Sequence, residues 1–331
     1  MSFDFYTHFP CEEKEQIKNL AQNEKIKSIY SRIKIISKAL GTENLKDIAK
    51  EAHKDLVHKT DKTDQKTDKT DQKDKDNPYS LYLQKEINLL DSLNLRNPLM
   101  PDLSSLPSCS FFLQLPIKLE KPYLSKDDDE FYPNENPIRK DKVFKVPMVS
   151  PSTWKGNLRR VICERCEPHE AARLLGHEKG EEDEKNLRQG RLFFYPTFFD
   201  KIDLEVINPH SRKTRAGTHP IYFECAPVNA TGTFSLLYIP FDLIGRFEVE
   251  EEIKKEPFED LQITLGAVKT MMLEHGFSAK KTSGFGVIKK DATGQIVVSG
   301  AKEPDSFDLT RDFTDIFNKV KAIWYSHGKE T

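Results

Sequence analysis

Long apolar runs and an excess of one charge are both missing from this sequence. No stretch of its 331 residues approaches the roughly 18 consecutive apolar residues that a membrane helix needs, and the first ten lack the basic-then-apolar layout of a signal peptide. The 51 lysines and arginines nearly balance 53 aspartates and glutamates, which gives a net charge of −2. This excludes a uniformly basic nucleic-acid-binding protein but not a locally basic surface. We expect a cytoplasmic protein without membrane contact.

Cysteine is also scarce. Five cysteines are an odd, sparse set in a long chain, which argues against a disulfide framework and fits a reducing compartment. Cys163 and Cys166, with His169 and His177 nearby, are ligand types that zinc accepts. A single Cys-x-x-Cys without a second pair is an incomplete zinc motif, and cysteines three apart on a helix can simply face the core. We therefore do not expect zinc.

Apolar residues make up only 37% of the chain and charged residues 31%, so a long polar stretch is expected. It lies at residues 59–77, where Lys, Thr, Asp and Gln recur in KTDQ and KTDK units with no apolar residue from Lys59 to Asp76. Such a run gains too little from burial to offset the entropy of ordering. We predict a disordered linker there.

Helical periodicity precedes this linker. Apolar residues recur at three- and four-residue steps between Ile26 and Leu40, Gly41 is placed to end that helix, and Thr42 to begin a second. Residues 1–58 are predicted as a helical extension and residues 78–107 as a connecting segment. The apolar stripe of the extension either docks on a neighbouring subunit or packs on the chain's own core.

A different pattern begins after residue 107. Short apolar runs rich in aromatic residues predict four strands: 109–119, 190–199, 232–241 and 285–290. One helix is predicted to open at Pro151, after the first of these runs, and another to end at Gly276, before the last. The order strand, helix, strand, strand, helix, strand indicates an α+β fold with an antiparallel sheet and helices on one face. This is the ferredoxin-like arrangement that RNA-recognition domains also use.

The remaining predictions concern the core, the C-terminal region and a long loop. The core is predicted over residues 108–300, followed by a C-terminal region at 301–331 with a helix around Phe307–Trp324. The polar, proline-containing residues 120–142 are predicted as a long loop. In the first core helix, Trp154 has helical spacing with Leu158, so we expect it in the core rather than on an RNA-stacking surface.

The first core helix begins in a strongly basic segment. Ser150 can cap it and Pro151 suits its first position. From Arg139 to Arg160 there are seven basic residues against one acid, Asp141, a local charge of +6. Free N–H groups and the macrodipole make helix N-termini suitable for phosphate. A ligand with phosphates is indicated.

A second basic motif lies near the C-terminus, from Gly276 to Gly286 (GFSAKKTSGFG), and it contains no acid. Glycines allow backbone amides to approach phosphates closely. Each motif is weak alone, because a basic helix face is usually just a solvated surface.

Taken in series, the motifs resemble the RAMP superfamily of CRISPR-associated proteins, in particular the backbone subunits of type III effector complexes. The matching segments span residues 109–290 and are Asn134-Glu-Asn-Pro-Ile-Arg-Lys-Asp141 leading to Val146-Pro147, Pro151-Ser-Thr-Trp-Lys-Gly-Asn-Leu-Arg159, Arg173-Leu-Leu-Gly176, Gly190-Arg-Leu-Phe-Phe194 and the loop Gly276–Gly286. Asn208-Pro-His210 and residues 279–284 look closer to the terminal subunit of the Cmr branch, whereas the loop before Pro137 looks closer to the repeating backbone subunit.

The resemblance implies a modified ferredoxin-like fold that holds guide RNA by its phosphates. It also implies a thumb loop that wedges into the duplex of guide and target RNA, and a place among other type III effector subunits in antiviral defence. The RNA-binding positions expected from the motifs and the resemblance are Arg139, Lys140, Ser152, Lys155, Gly156, Arg159, Arg160, His210, Arg212, Lys280, Lys281, Thr282, Ser283, Gly284 and Gly286.

Two enzymatic alternatives remain open. In slicing members of the superfamily, an aspartate two residues before the matching proline is needed for metal-dependent cleavage of target RNA. Glu135 occupies that position here, and Asp128 and Asp129 of the same predicted thumb are the alternative carboxylates. The extra methylene of glutamate shifts the carboxylate, which in-line chemistry tolerates poorly, so Mg²⁺ is expected only if the chain slices RNA. The other alternative is a metal-independent guide-processing ribonuclease, with His210 or His219 as general acid or base.

Overall fold

The computed structural model describes residues 9–23, 25–58, 78–127, 132–177, 188–209, 217, 219–247 and 251–326. The predicted linker at 59–77 lies outside these ranges, as do Asp128, Asp129, His210 and Arg212. No helix among the described residues is both long and apolar enough to cross a bilayer.

Helices and strands are mixed along the chain, which agrees with the α+β class. The helices are α1 (Lys14–Ala21), α2 (Ile29–Ile36), α3 (Glu43–Val57), α4 (Pro78–Ser92), α5 (Pro151–Cys163), α6 (Pro168–Leu175), α7 (Lys255–Thr270) and α8 (Thr314–Ser326). The strands are β1 (Phe111–Lys118), β2 (Tyr123–Leu124), β3 (Met148–Val149), β4 (Leu192–Phe194), β5 (Thr197–Phe198), β6 (Asp203–Ile207), β7 (Ile221–Ala226), β8 (Thr231–Tyr238), β9 (Thr293–Val298) and β10 (Asp305–Asp308).

The chain forms two compact units that interleave in sequence. Unit 1 comprises Met1–Ser92, Pro122–Met148 and Phe199–Ala230, and unit 2 comprises Leu93–Lys121, Val149–Phe198 and Thr231–Thr331. The domains predicted from the sequence are continuous ranges of residues. In the structure, residues 122–148 and 199–230 of the predicted core range belong to unit 1, together with the N-terminal helices.

Unit 1 combines the four N-terminal helices with a small antiparallel sheet in the order β2-β7-β6. The helix predicted between Ile26 and Leu40 is α2 followed by a 3₁₀ turn that ends at Gly41, and α3 follows Thr42. Its apolar stripe is buried, with Ile33 and Ile36 fully inaccessible. Of the two alternatives for this stripe, packing within the chain's own core is the one observed.

Unit 2 contains a five-stranded antiparallel sheet in the order β10-β9-β1-β8-β4. Along the chain, the main elements of this unit follow the order β1, α5, β4, β8, α7, β9. Strands that are neighbours in the order β9-β1-β8-β4 are therefore connected through a helix or a long intervening segment and not by a short hairpin turn. Phe111 of β1 lies opposite Tyr238 of β8 and their rings stack at 4.6 Å. The apolar runs predicted as strands at 109–119 and 232–241 thus form the middle of this sheet.

Three sequence predictions differ from the structure. The last core strand is β9 rather than residues 285–290, of which Ile288 makes only an isolated bridge to Leu119. Phe307 belongs to the edge strand β10, and the terminal helix starts later, at Thr314. In the segment 78–107, predicted only as a connection, α4 buries Tyr79, Leu83, Ile87 and Leu90 at helical spacing.

Candidate functional site

Helix α5 of unit 2 begins as its sequence predicts. Ser150 has extended backbone angles, and its Oγ accepts a hydrogen bond from the Thr153 N–H at 3.3 Å. Pro151 occupies the first turn, where its missing N–H costs nothing. The helix is held by fully buried Trp154, whose Nε1 donates to Thr197 Oγ1 at 3.1 Å and whose ring packs on Phe277 at 4.5 Å. The prediction that Trp154 belongs to the core is confirmed.

The glycine-bearing loop is closed by its own backbone. Phe277 N–H donates to the Gly286 carbonyl at 3.1 Å. Gly276 and Gly286 have φ values of 71° and 75°, and a β-carbon on Gly286 would lie 2.5 Å from Ser278 Cβ. At these two positions both the backbone angle and the close approach require glycine. The loop is therefore a fixed turn.

Asn157 connects α5 to this loop. Its Nδ2 donates to the carbonyl oxygens of Thr153, at 2.9 Å, and of Phe277, at 3.2 Å, while its Oδ1 accepts from Lys281 Nζ at 2.6 Å. The two motifs that lie 120 residues apart in sequence thus meet at one side chain. Asn157 is not among the RNA-binding residues predicted from the sequence, although it lies in the matching motif, one turn after Thr153 on the same helix face.

We call α5 and the loop that Asn157 joins to it the α5–loop patch; its cations are Lys155 and Arg160 on the helix and Lys280 and Lys281 on the loop, and Arg160 Nε is paired with Glu164 at 3.1 Å. Arg160 and Lys280 are exposed, and Lys155 and Lys281 are half-buried. Burial lowers the pKa of Lys281, and the charge of Arg160 lowers it further, partly opposed by Glu164. Burial and the neighbouring Arg159 likewise lower the pKa of Lys155. Burial is the larger cause for both lysines, and an anion bound beside them would favour their charged forms.

Uncharged residues of the patch leave room for a ligand. Ser152, Gly156, Thr282 and Ser283 are exposed. Gly156 lies in the interior of α5, where a β-carbon would meet no heavy atom within 4 Å. Glycine in a helix interior costs roughly 0.5–1 kcal/mol relative to alanine. No packing within the described residues requires this glycine.

Three predicted RNA-binding residues have other surroundings. Arg159 Nη2 donates to the carbonyl oxygens of Leu175 and Gly176, at 3.1 and 3.0 Å, so it caps the end of α6. Arg139, in unit 1, has an exposed side chain, and its backbone N–H donates to Ser125 Oγ at 2.9 Å. Lys140 is buried, and its ammonium pairs with Glu224.

Glu224 of β7 is the centre of a buried polar cluster in unit 1. Besides Lys140, it accepts hydrogen bonds from His53 Nε2 at 2.8 Å, Tyr132 OH at 2.5 Å and the Ile138 N–H at 3.2 Å. Burial alone would raise the pKa of Glu224, but Lys140 and His53 lower it to about 2. The cluster ties α3 and residues 132–140 to the small sheet.

The predicted catalytic residue Glu135 lies on a cleft of unit 1. Its side chain is 72% exposed and accepts a hydrogen bond from Lys50 Nζ at 2.6 Å. That bond and the charge of Lys50 lower the pKa of Glu135. His219, the candidate acid or base, lines the same cleft. Within the described ranges no three His, Cys, Asp or Glu side chains form a group able to hold a metal ion.

Comparison with known proteins identifies the family. No curated protein matches the chain. A chain in the cryo-EM structure of the Type III-B Cmr-beta bound to cognate target RNA is 16% identical, with a TM-score of 0.45, over 90% of this chain and all of that one. A chain of a CRISPR RNA-guided surveillance complex is 13% identical, with a TM-score of 0.38, over 66% of this chain and 85% of that one. The model of the RAMP superfamily matches residues 117–289, more than half of the 331. This match confirms the superfamily predicted from the motifs: the chain belongs to the RAMP superfamily.

Proposed function

We propose that the chain is a guide-RNA-binding structural subunit of a type III CRISPR antiviral interference complex. The observation that carries the proposal is the α5–loop patch, where Asn157 brings a basic helix and a glycine loop together. Its four cations would hold the phosphates of the guide. The partners in this proposal are the guide RNA, the complementary target RNA and other subunits of the complex.

The fold of unit 2 supports this function. The sheet order β9-β1-β8-β4, with α5 and α7 following the first and third core strands, is the order of a ferredoxin-like fold. We interpret β10 as an addition at its edge and residues 122–148, which belong to unit 1, as the thumb.

Gly156 gives independent support. Because nothing in the described packing requires a glycine in the interior of α5, its lack of a side chain is explained by the close approach of a ligand backbone to the helix. The exposed hydroxyls of Ser152, Thr282 and Ser283 are suitable donors to phosphate oxygens at the same surface.

Charge reversal at the patch tests the proposal. In the double variant Lys155→Glu/Arg160→Glu we expect guide-RNA affinity to fall on the order of 100-fold at constant salt, because phosphate contacts dominate such binding. Affinity is measured by fluorescence anisotropy with labelled guide RNA, and folding by circular dichroism. Lys302→Glu, an exposed position of unit 2 outside the patch, is the matched control. Unchanged affinity in the folded double variant would refute the proposal.

Slicing of target RNA is the alternative function. It is not favoured, because the carboxylate of Glu135 pairs with Lys50 instead of facing other carboxylates among the described residues. Incubation of the assembled complex with guide-paired target and Mg²⁺ decides between the two. Cuts that disappear in Glu135→Ala would make the chain an endoribonuclease.

A further inference from the structure

Two of the five cysteines are accessible to reagents in solution. Cys163 is exposed and Cys166 is half-buried, whereas Cys11, Cys109 and Cys225 are buried. A buried cysteine behaves as a small apolar residue of the core. Packing in the core therefore accounts for the three buried cysteines but not for Cys163.

Cys163 and Cys166 lie within one helical turn at the end of α5. Cys163 is the last residue of the helix, and beyond it the N–H groups of Arg165 and Cys166 both donate to the Ile162 carbonyl, at 3.0 and 2.9 Å. Residues three apart in such a turn share a face, with Cα atoms about 5 Å apart. The Cα atoms of a disulfide are roughly 4.4–6.8 Å apart. The backbone therefore already has a spacing that a disulfide accepts.

The composition of this site favours thiol chemistry over metal binding. Structural zinc sites have four ligands, and among the described residues no His, Cys, Asp or Glu joins the two cysteines in a group of three that could hold a metal ion. Exchange between thiols and disulfides needs only two thiols, one that attacks the reagent and one that resolves the mixed disulfide.

The two thiols differ in the way that such an exchange requires. Burial and then Glu170 raise the pKa of Cys166, and the neighbouring Cys163 adds to the shift, so the two side chains lie within electrostatic reach of each other. A half-buried thiol that is mostly protonated reacts slowly with reagents in solution. It is nevertheless well placed to attack a disulfide on the residue beside it. Cys163, the exposed cysteine, is therefore the attacking residue, and Cys166 the resolving one.

We propose that Cys163 and Cys166 form a dithiol modification site, which closes to an intramolecular disulfide by exchange with a low-molecular-weight disulfide such as glutathione disulfide. The Cys163 thiolate attacks one sulfur of the reagent, which forms a mixed disulfide and releases the first glutathione thiolate. Cys166 then gives its proton to solvent and attacks Cys163 Sγ, which displaces the second. The chain loses two electrons and two protons, and the reagent becomes two glutathione thiols.

The disulfide would join the end of α5 to the segment that leads into α6. It would lie beside the α5–loop patch, because Glu164, between the two cysteines, pairs with Arg160 at 3.1 Å. Exposed disulfides are the labile ones that thiols reduce readily. The modification is therefore reversible.

A redox titration of the full-length chain tests the site. The protein is equilibrated with varied ratios of reduced to oxidised glutathione in the presence of EDTA, alkylated with N-ethylmaleimide and digested with trypsin. Trypsin cleaves after Arg165, so the disulfide is detected by mass spectrometry as a crosslink between peptides 161–165 and 166–173. We expect this crosslink in most chains under oxidising ratios and its complete loss after dithiothreitol.

Single variants assign the two roles. Cys166→Ser should stop at the mixed disulfide, so that glutathione remains on Cys163. Cys163→Ser should acquire glutathione on the order of tenfold more slowly, because its remaining thiol is half-buried. Cys11→Ser, which removes a buried thiol of unit 1, is the matched control and should form the crosslink as fully as the wild type. Circular dichroism checks that each variant is folded.

Glutathione on Cys163 of the folded wild type without the crosslinked peptides at any ratio would overturn the proposal, since the thiols would then be too far apart to react. Absence of oxidation at both cysteines, or disulfides only between two chains, would overturn it equally. The test contains no RNA, so its failure leaves the proposed function intact, and loss of RNA binding would leave the dithiol site intact.

Discussion

At the scale of single residues, the carboxylate of Glu224 is a buried charge in unit 1. It is fully inaccessible, it pairs with the ammonium of Lys140, and it accepts a hydrogen bond from His53. A buried ion pair adds little net stability compared with an apolar pair, but removing one partner leaves an uncompensated charge. The cluster therefore makes the packing of residues 132–140 depend on α3.

Glu224→Gln should destabilise the chain by about 3–5 kcal/mol, because the buried ammonium of Lys140 loses its counter-charge. The double variant Glu224→Gln/Lys140→Met should lose less than the sum of the single changes. Urea denaturation monitored by circular dichroism gives these free energies, with exposed Glu51→Gln on α3 as the control. Additive effects would contradict a coupled pair.

The pKa of the same carboxylate predicts a pH dependence. Because the folded-state pKa is about 2, below the ordinary 4.5, ionised Glu224 stabilises the fold fully above about pH 4.5. That contribution is lost as the pH falls from there towards 2. The urea midpoint of the wild type should fall over this window more steeply than that of Glu224→Gln. Parallel curves would contradict the lowered pKa.

At the scale of elements, the glycine loop depends on backbone geometry. Gly284 and Gly286 both have positive φ, 79° and 75°, yet a β-carbon meets nothing within 4 Å at Gly284 and Ser278 Cβ at 2.5 Å at Gly286. The two positions separate the cost of backbone strain from the cost of steric overlap.

Gly284→Ala should therefore cost about 1 kcal/mol, and Gly286→Ala at least about 2 kcal/mol more, since only the latter adds a clash to the strained backbone angle. Thermal denaturation measures both. Gly286→Ala should also weaken RNA binding by displacing Lys281 from Asn157. Equal stability of the two variants would contradict the rigid turn.

Helix α5 offers a test in which stability and binding change in opposite directions. Gly156→Ala should stabilise the chain by about 0.5–1 kcal/mol through helix propensity. It should nevertheless weaken RNA binding, because the added methyl group lies where the proposed RNA backbone approaches. Denaturation and anisotropy on the same variant check both effects. Tighter binding together with higher stability would contradict a close approach at α5.

At the scale of the whole molecule, a net charge of −2 means that the proposed RNA binding requires a local basic surface. If the four cations of the α5–loop patch neutralise four phosphates of a single strand, log affinity should fall against log salt with a slope of about −3. Lys281→Ala should reduce this slope by about 0.7. A slope near zero in the wild type would contradict phosphate binding.

Predictions from the sequence were correct where the signal for an element lay within that element. Ser150 and Pro151 begin α5, Gly276 ends the helical segment before the loop, and apolar runs rich in aromatic residues located β1 and β8. Prediction failed for β9, because residues 285–290 close the loop and form a single bridge, from Ile288 to Leu119, with backbone hydrogen bonds of Val287 and Lys289 on either side. Local apolar content cannot distinguish a buried loop closure from a strand, since hydrogen-bonding partners are set by distant segments.

The sequence alone determined the superfamily and the α+β class, since both depend on motifs and periodicities that are local in the chain. Tertiary structure decided which basic side chains are already bound by distant residues of the chain. Lys140 and Arg159 look like Lys155 and Arg160 in the sequence, but one is buried on Glu224 and the other caps α6. It also decided that Asn157 joins two distant motifs and that Glu135 faces Lys50. The charge of a side chain follows from its residue type, whereas its interaction partner depends on how distant segments of the chain pack together.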